Sequence, residues 1–297
     1  MVHAVVNAPT GNIGRPLSER LLAAGCTLTL LARHPEKVQE LAARGATVQQ
    51  GNLEDQDFVT AATHGADVLF WLTPPNPAAP NVREYQNKLG RIAAQAVREN
   101  RIPRVVHLSS YGAHLDAHTG PILGLRDNEA LLNRAVTDIV HLRPGMFKEN
   151  YMGSLPTIRQ QRKIFLPIAG STQVPFIATR DVAMVAAERI LGSSWRGQQV
   201  LEVMGPEPIS FDEAARCIGD ALGEPVRHVQ VTRDQAYSAL TGMGMSADFA
   251  NGALEMYESV ENGHLVPDPR AAKRIMPTTF ASFAREVLAP LLGAARG

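Results

Sequence analysis

The chain has 297 residues, 45% of them hydrophobic, which is enough to bury a large core and is long for one simple layer. Its 29 basic and 29 acidic side chains cancel without forming a dense basic block, which argues against a phosphate-tracking nucleic-acid surface as the main activity. The two cysteines, Cys26 and Cys217, form no metal-ligand pattern, and no apolar run approaches membrane-spanning length.

In chain order, the apolar run Val2-His3-Ala4-Val5-Val6 leads into Asn7-Ala8-Pro9-Thr10-Gly11-Asn12-Ile13-Gly14, then a helical stretch to Ala24. A strand, a tight glycine turn and a helix are the parts of a dinucleotide site. Positions without side chains let the backbone approach a pyrophosphate, and the helix N-terminus presents unpaired N–H groups to it. Gly11 and Gly14 are three apart, and Ala8 stands where a further glycine would complete the pattern G-x-x-G-x-x-G. Alanine is tolerable there if it keeps a negative φ, and Pro9 stiffens the turn beside it. Ala8, Thr10, Gly11, Asn12, Ile13 and Gly14 are therefore the first expected cofactor contacts.

Glycine pairs before helices also occur without any ligand, so this motif gains its weight from the second strand downstream. Gly25 falls at an expected helix C-cap, and Thr27-Leu28-Thr29-Leu30-Leu31-Ala32 reads as that strand. It delivers Arg33 and His34 roughly 20 residues past the glycines, the position that meets the adenosine ribose. An acidic residue there favours a free 2′-hydroxyl, whereas an arginine pairs with a 2′-phosphate, so the expected cofactor is NADP(H) in preference to NAD(H).

Further strands are expected to begin near Ala46, Asp67, Arg104 and Asp138, alternating with helical stretches from Pro35, Asp57, Val82 and Leu125. Leu89, Ile92, Ala93, Ala96 and Val97 make one apolar helix face. Runs such as Val68-Leu69-Phe70-Trp71-Leu72 mark a parallel sheet covered on both faces. The fold class is α/β, a Rossmann-type doubly wound parallel sheet. After about residue 150 the alternation loosens. Helices are expected at 182–191, 211–222, 233–240 and 280–292, a strand that returns to the sheet at 198–204, and a frayed tail at 293–297. Residues 1–150 are thus read as the NADP(H)-binding domain and 151–297 as a smaller, mostly helical C-terminal region. Met1 opens almost directly into the first strand, leaving no room for a signal peptide, and a reduced cytoplasmic setting is expected.

The run Asn7 to Gly14, with Leu31-Ala32-Arg33-His34-Pro35-Glu36-Lys37 and Gly51-Asn52-Leu53-Glu54-Asp55, resembles the NmrA-like branch of the atypical short-chain dehydrogenases/reductases. The resemblance continues through Val105-Val106-His107-Leu108-Ser109-Ser110-Tyr111-Gly112, Leu142-Arg143-Pro144-Gly145-Met146-Phe147-Lys148-Glu149-Asn150-Tyr151 and Ala178-Thr179-Arg180-Asp181-Val182-Ala183. It reaches Gly205-Pro206-Glu207-Pro208-Ile209-Ser210 and Phe280-Ala281-Ser282-Phe283-Ala284, and so covers nearly the whole chain in order. It implies that the smaller region caps the cofactor domain, with a small apolar substrate in the cleft between them.

Open α/β sheets place ligands beyond the carboxyl ends of their strands. Asn52 and Leu53 are then expected at the adenine, Thr73, Pro74 and Pro75 along the channel to the nicotinamide ribose, and Ser109 and Pro144 nearer the nicotinamide. Met146, Phe147, Tyr151, Met152 and Phe176, with Phe165, are the expected apolar lining of the substrate pocket. Superfamily members with a tyrosine and a lysine four apart use the phenol as general acid. Aligned through Glu129-Ala130-Leu131-Leu132, those positions fall on Pro121 and Leu125, neither of which exchanges a proton. This leaves two functions. The first is an NADPH-dependent oxidoreductase passing hydride to an activated acceptor such as a quinone or enone, with Ser110, Tyr111, His114 or water as proton donor, in that order of preference. The second is a non-catalytic NADP(H)-binding sensor acting through a protein partner. The histidines are scattered without a carboxylate cluster, so no metal site is expected. A homodimer is left open.

Overall fold

The apolar runs of the first half build the centre of an eight-stranded sheet in a computed structural model that describes residues 2–192 and 194–293. The chain runs through β1 (His3–Asn7), α1 (Gly14–Ala23), β2 (Thr27–Ala32), α2 (Gln39–Ala43), β3 (Thr47–Gln50) and α3 (Gln56–Ala62). It continues through β4 (Val68–Leu72), α4 (Val82–Glu99), β5 (Arg104–Leu108), α5 (Ile122–Asn133) and β6 (Asp138–Pro144). Strand order across the sheet is β3-β2-β1-β4-β5-β6, followed by Gln198–Met204 and Ala272–Ile275, with every neighbouring pair parallel. Val5 of β1 lies between Thr29 and Leu69, so the order reverses at β1 and a crevice opens above its carboxyl end.

Both faces of the sheet are covered, as the unbroken apolar runs require. Val6, Leu30 and Phe70 pack with Leu17 and Leu21 of α1 and with Val182 and Ala186 of the helix Thr179–Leu191. On the other face Val5, Leu69 and Trp71 meet Val59 of α3 and the stripe Leu89, Ile92, Ala93, Ala96 and Val97 of α4. Side-chain caps start α3 and α4: the carboxylate of Asp55 accepts the Phe58 N–H, and the Asn81 amide oxygen accepts that of Glu84. Beyond α1, Gly25 takes φ +76°, the left-handed turn expected of it.

The strand Gln198–Met204 returns to the sheet beside β6. Ala272–Ile275 adds an outer edge that sequence reasoning did not anticipate, because all four of its residues are exposed and two are charged. Residues after 150 therefore contribute to both bodies. The second body has its own core, in which Tyr151, Ile158, Ile164, Phe176, Phe211, Ile218, Phe280 and Phe283 come together. Capping boxes start Phe211–Leu222 (Ser210 with Glu213) and Arg233–Gly242 (Thr232 with Gln235). The helix Ala247–Glu261 was also not anticipated. The terminal run Phe280–Gly293 contains a single π-helical turn at Ala284–Leu288, and of the expected frayed tail residues 294–297 lie outside the described residues. No helix among the described residues is long and apolar enough to cross a membrane.

His107 and His141 are buried side by side on β5 and β6, with Nδ1 atoms 2.9 Å apart, and Nε2 of His141 lies 3.0 Å from the Asn133 amide oxygen. Burial and the neighbouring cations push both imidazoles from 6.5 down to about 3. Because the folded values lie below the unfolded ones, the unfolded chain binds more protons between pH 6.5 and 3, and stability is lost as pH falls through that window. Thermal midpoints measured across this range should fall less steeply for His141→Gln than for the wild type. Equal slopes would refute this source of acid sensitivity.

Candidate active site

A cavity of about 1240 Å³ lies over the reversal point, between the carboxyl ends of the strands and the second body. Its floor is the turn after β1. Ala8, Thr10, Gly11, Asn12 and Ile13 are in the wall, and the Gly11 N–H donates to the Ala8 carbonyl at 3.1 Å. The condition that Ala8 keep a negative φ is not met: it takes φ +49°, a left-handed conformation that costs an alanine roughly 1–2 kcal/mol. The tight turn needs that conformation, and alanine is small enough to adopt it.

The two glycines differ in their demands. A Cβ on Gly11 would meet the Ala8 carbonyl oxygen at an ordinary 3.5 Å, but on Gly14 it would lie 2.2 Å from that same oxygen. Gly14 is not itself in the cavity wall; it lets α1 start hard against the turn. The start of α1 carries no side-chain cap and no acidic group; the Arg15 N–H is bonded to the Gly11 carbonyl at 3.1 Å and Pro16 has no N–H, so it is the amides of the turn and of Gly14 that an anion would meet. The Asn7 side chain ties the floor of the crevice together. Its amide nitrogen donates to the Leu72 carbonyl at 2.7 Å, and its oxygen accepts the Leu72 N–H at 2.9 Å, which joins the ends of β1 and β4.

Arg33 and His34 both stand in the wall. Lys37, one turn further on in the same quoted motif, joins them and was not singled out in the sequence. Neither Arg33 nor Lys37 has a carboxylate partner within ion-pair distance among the described residues, whereas His34 Nδ1 lies 3.2 Å from Glu36. Leu53 is in the wall, but Asn52 is not: its amide oxygen accepts the Glu54 N–H at 3.1 Å and shapes the turn instead. Thr73, Pro74 and Pro75 line the middle of the cleft, where the Thr73 hydroxyl accepts from the Asn128 amide at 3.0 Å.

Beyond β5 and β6 the backbone ladder continues, with Ser109 N–H on the Leu142 carbonyl at 2.8 Å and Tyr111 N–H on the Pro144 carbonyl at 3.0 Å. This aims Ser109, Ser110, Tyr111 and Pro144 into the cleft wall. The Ser110 hydroxyl donates to the Tyr111 carbonyl at 3.2 Å, and the buried Ser109 hydroxyl has no partner among the described residues. Burial, and then the Glu202 carboxyl, push the Tyr111 phenol up to about 12. His114 is not in the wall, and burial lowers its imidazole.

On the substrate side Met146 and Phe147 line the cavity as expected. Tyr151, Met152 and Phe176 do not. Tyr151 and Phe176 are core residues, 3% and 2% exposed, set edge-to-face against Phe280 with ring centroids 5.1 and 5.2 Å apart, and Met152 packs on the same cluster. Phe165 likewise lies off the wall. The second body needs large side chains for its own core, which sequence alone does not separate from pocket lining. The wall is completed by Ile122 and Leu125 of α5, by Glu202 and Met204, by Met256 and Val260 of the helix Ala247–Glu261, and by Leu265, Val266 and Pro267. That last segment is anchored through Asp268, whose carboxylate accepts Arg143 Nη1 at 3.0 Å, while Arg143 also holds Glu129 bidentately at 2.9 and 2.6 Å.

A glycine turn under an uncapped helix start, a crevice at the strand-order reversal and two cations near the ribose position define a dinucleotide-binding protein of the doubly wound α/β class. The chain belongs to the NAD(P)H-binding family, whose model matches residues 9–190. It is 29% identical over 279 residues to NAD(P)H azoreductase of Xenophilus azovorans, covering 93% of this chain and 94% of that one. It is 24% identical to quinone oxidoreductase 2 of Escherichia coli strain K12, covering 92% and 94%. Its fold is that of the NADPH-dependent quinone oxidoreductase from Escherichia coli solved in complex with NADPH, with a TM-score of 0.79, 21% identity and coverage of 96% and 99%.

Proposed function

We propose that this chain is an NADPH-dependent oxidoreductase that passes hydride directly to a small, apolar, activated acceptor of the quinone or enone kind. The observation that carries the reading is the one continuous cleft joining the Ala8–Ile13 turn and Arg33 at one end to Met146, Phe147 and Leu265 at the other. Bound NADPH supplies the hydride. The residues of the chain do the rest. The turn amides and the start of α1 hold the diphosphate, Arg33 and Lys37 hold the 2′-phosphate, and the apolar far wall excludes water and lays a planar acceptor against the nicotinamide. Relatives named as azoreductase and quinone oxidoreductase fit such an acceptor.

On the alignment through Glu129-Ala130-Leu131-Leu132 the tyrosine and lysine positions fall on Pro121, just before α5, and Leu125, in the wall, both taken as proton-inert in this reading. Of the three candidate donors, Ser110 and Tyr111 are in the wall and His114 is not. Mixing the protein with NADPH and a panel of quinones and azo compounds should bleach the reduced-nicotinamide absorbance with at least one of them. Tight NADPH binding with no bleaching by any acceptor would replace this reading with that of a redox sensor.

Arg33→Ala should weaken NADPH binding by about 10- to 100-fold, the worth of a charge-assisted contact, and leave NADH binding nearly unchanged. Titration with both dinucleotides measures this, and equal weakening of the two would refute the 2′-phosphate contact.

A further inference from the structure

Thr73 and Ser109 are the first residues beyond β4 and β5, and because Leu72 and Leu108 are register partners the two are neighbours in the cleft wall. The Ser109 side chain is 4% exposed and its hydroxyl has no partner among the described residues. The Thr73 hydroxyl accepts from the Asn128 amide nitrogen at 3.0 Å and donates to nothing among the described residues. A hydroxyl has one proton and two lone pairs, so a lone pair filled from behind by Asn128 leaves the Thr73 proton free for the cleft. Pro74 and Pro75, which follow in the wall, have no N–H of their own to offer.

Asn128 itself is not in the wall. It lies on α5 with 0% exposure and its amide oxygen unpartnered among the described residues, packed where α4 carries Gly90; a Cβ on Gly90 would collide with the amide. A leucine of similar size would leave no polar oxygen unpaired there, and an unpaired one is costly in the interior. Packing alone therefore does not account for an asparagine, and the hydrogen bond it makes goes to Thr73. Position along the cleft says what the hydroxyls meet. With the 2′-phosphate at Arg33 after β2 and the diphosphate at the turn after β1, the strand order β2-β1-β4-β5 carries the rest of the dinucleotide over Thr73 and Ser109. The next unit after the diphosphate is the ribose of the nicotinamide half, a vicinal diol. A donor at Thr73, and a hydroxyl at Ser109 free to give or accept, match its two oxygens.

We propose that Asn128 is a positioning residue that fixes the Thr73 hydroxyl as a donor into the cleft, so that Thr73 and Ser109 together hold the ribose next to the nicotinamide. The proposal rests on the dinucleotide part of the reductase reading. Asn128 touches no ligand and acts through Thr73, and no proton is transferred.

Isothermal titration with three ligands tests this: 2′-phospho-ADP, which ends at the diphosphate, 2′-phospho-ADP-ribose, which adds the ribose, and NADPH, which adds the nicotinamide. Thr73→Val and Asn128→Leu should each weaken the two larger ligands by about 10-fold, the worth of a hydrogen bond between neutral groups, and leave 2′-phospho-ADP unchanged. The double variant should be no weaker than either single one, and Thr73→Ser should retain most of the wild-type affinity. Because Asn128 is buried between two helices, its side-chain amide resonance in the wild type gives a second measurement that needs no variant to fold. That resonance should shift with 2′-phospho-ADP-ribose and stay in place with 2′-phospho-ADP. Losses that extend to 2′-phospho-ADP, losses that add in the double variant, or a resonance that does not distinguish the two ligands overturn the proposal. A loss for NADPH alone overturns the assignment to the ribose. A wild type that binds none of the three overturns the proposal and the dinucleotide reading together, whereas a wild type that binds all three, with both variants unchanged, overturns the proposal alone.

Discussion

A Gly14→Val variant should bind NADPH at least 100-fold more weakly and lose about 1–3 kcal/mol of stability, the usual penalty of overpacking. The added Cβ would stand 2.2 Å from the Ala8 carbonyl oxygen, 2.9 Å from its carbon and 3.0 Å from Pro9 Cα, all of them backbone atoms. A side chain can swing away from a collision, but a turn held by the Gly11 N–H bond to Ala8, with Ala8 already at φ +49°, has little room to yield. Either the turn opens or α1 withdraws, and both move the amides proposed to hold the diphosphate. Gly11→Ala, whose Cβ would meet Ala8 at 3.5 Å, should be far milder. Calorimetric titration with NADPH and urea unfolding of both variants check the ordering. Comparable losses at the two positions would mean that close approach of helix and turn is not what the site requires.

Arg143→Met should destabilise the fold by about 3–5 kcal/mol, the cost of leaving buried charges uncompensated. Arg143, Glu129 and Asp268 are all at least nine-tenths buried, and the guanidinium ties α5, β6 and the segment after Ala247–Glu261 into one piece. Without it Glu129 is left out of water with no counterion among the described residues, and Asp268 keeps only Arg270, whose Nε lies 3.2 Å away. Adding Glu129→Gln should recover part of the loss, since the stranded charge is then gone. Because Leu265, Val266 and Pro267 line the far end of the cleft just before Asp268, acceptor KM should rise more than the Kd for NADPH. Urea unfolding of the single and double variants tests the first claim. A double variant no more stable than Arg143→Met would show that charge burial is not the cause.

The first 150 residues were legible because the central strands β1, β2, β4 and β5 are apolar runs and α4 carries a 3.6-residue stripe. Arg33 at the end of β2 then follows from strand length alone. The second half was less so, for identifiable reasons. Ala272–Ile275 pairs only along one edge and exposes every side chain, so it carries no hydrophobic signature. Tyr151 and Phe176 have the composition of pocket residues, and only their neighbours reveal a core. Glu202 sits in a strand beside Leu201 and Val203, where alternation alone would turn it to solvent. Its burial depends on Asp268, 66 residues away, and no local pattern encodes that. Asn52 failed for the opposite reason, since its side chain is consumed within its own turn.

The central claim is that the turn after β1 and the cations after β2 hold one phosphorylated dinucleotide. Isothermal titration of the protein with NADPH and with NADH measures this directly. One NADPH per chain, bound more tightly than NADH, is the expected result. No heat and no complex with either dinucleotide would contradict the claim at its base.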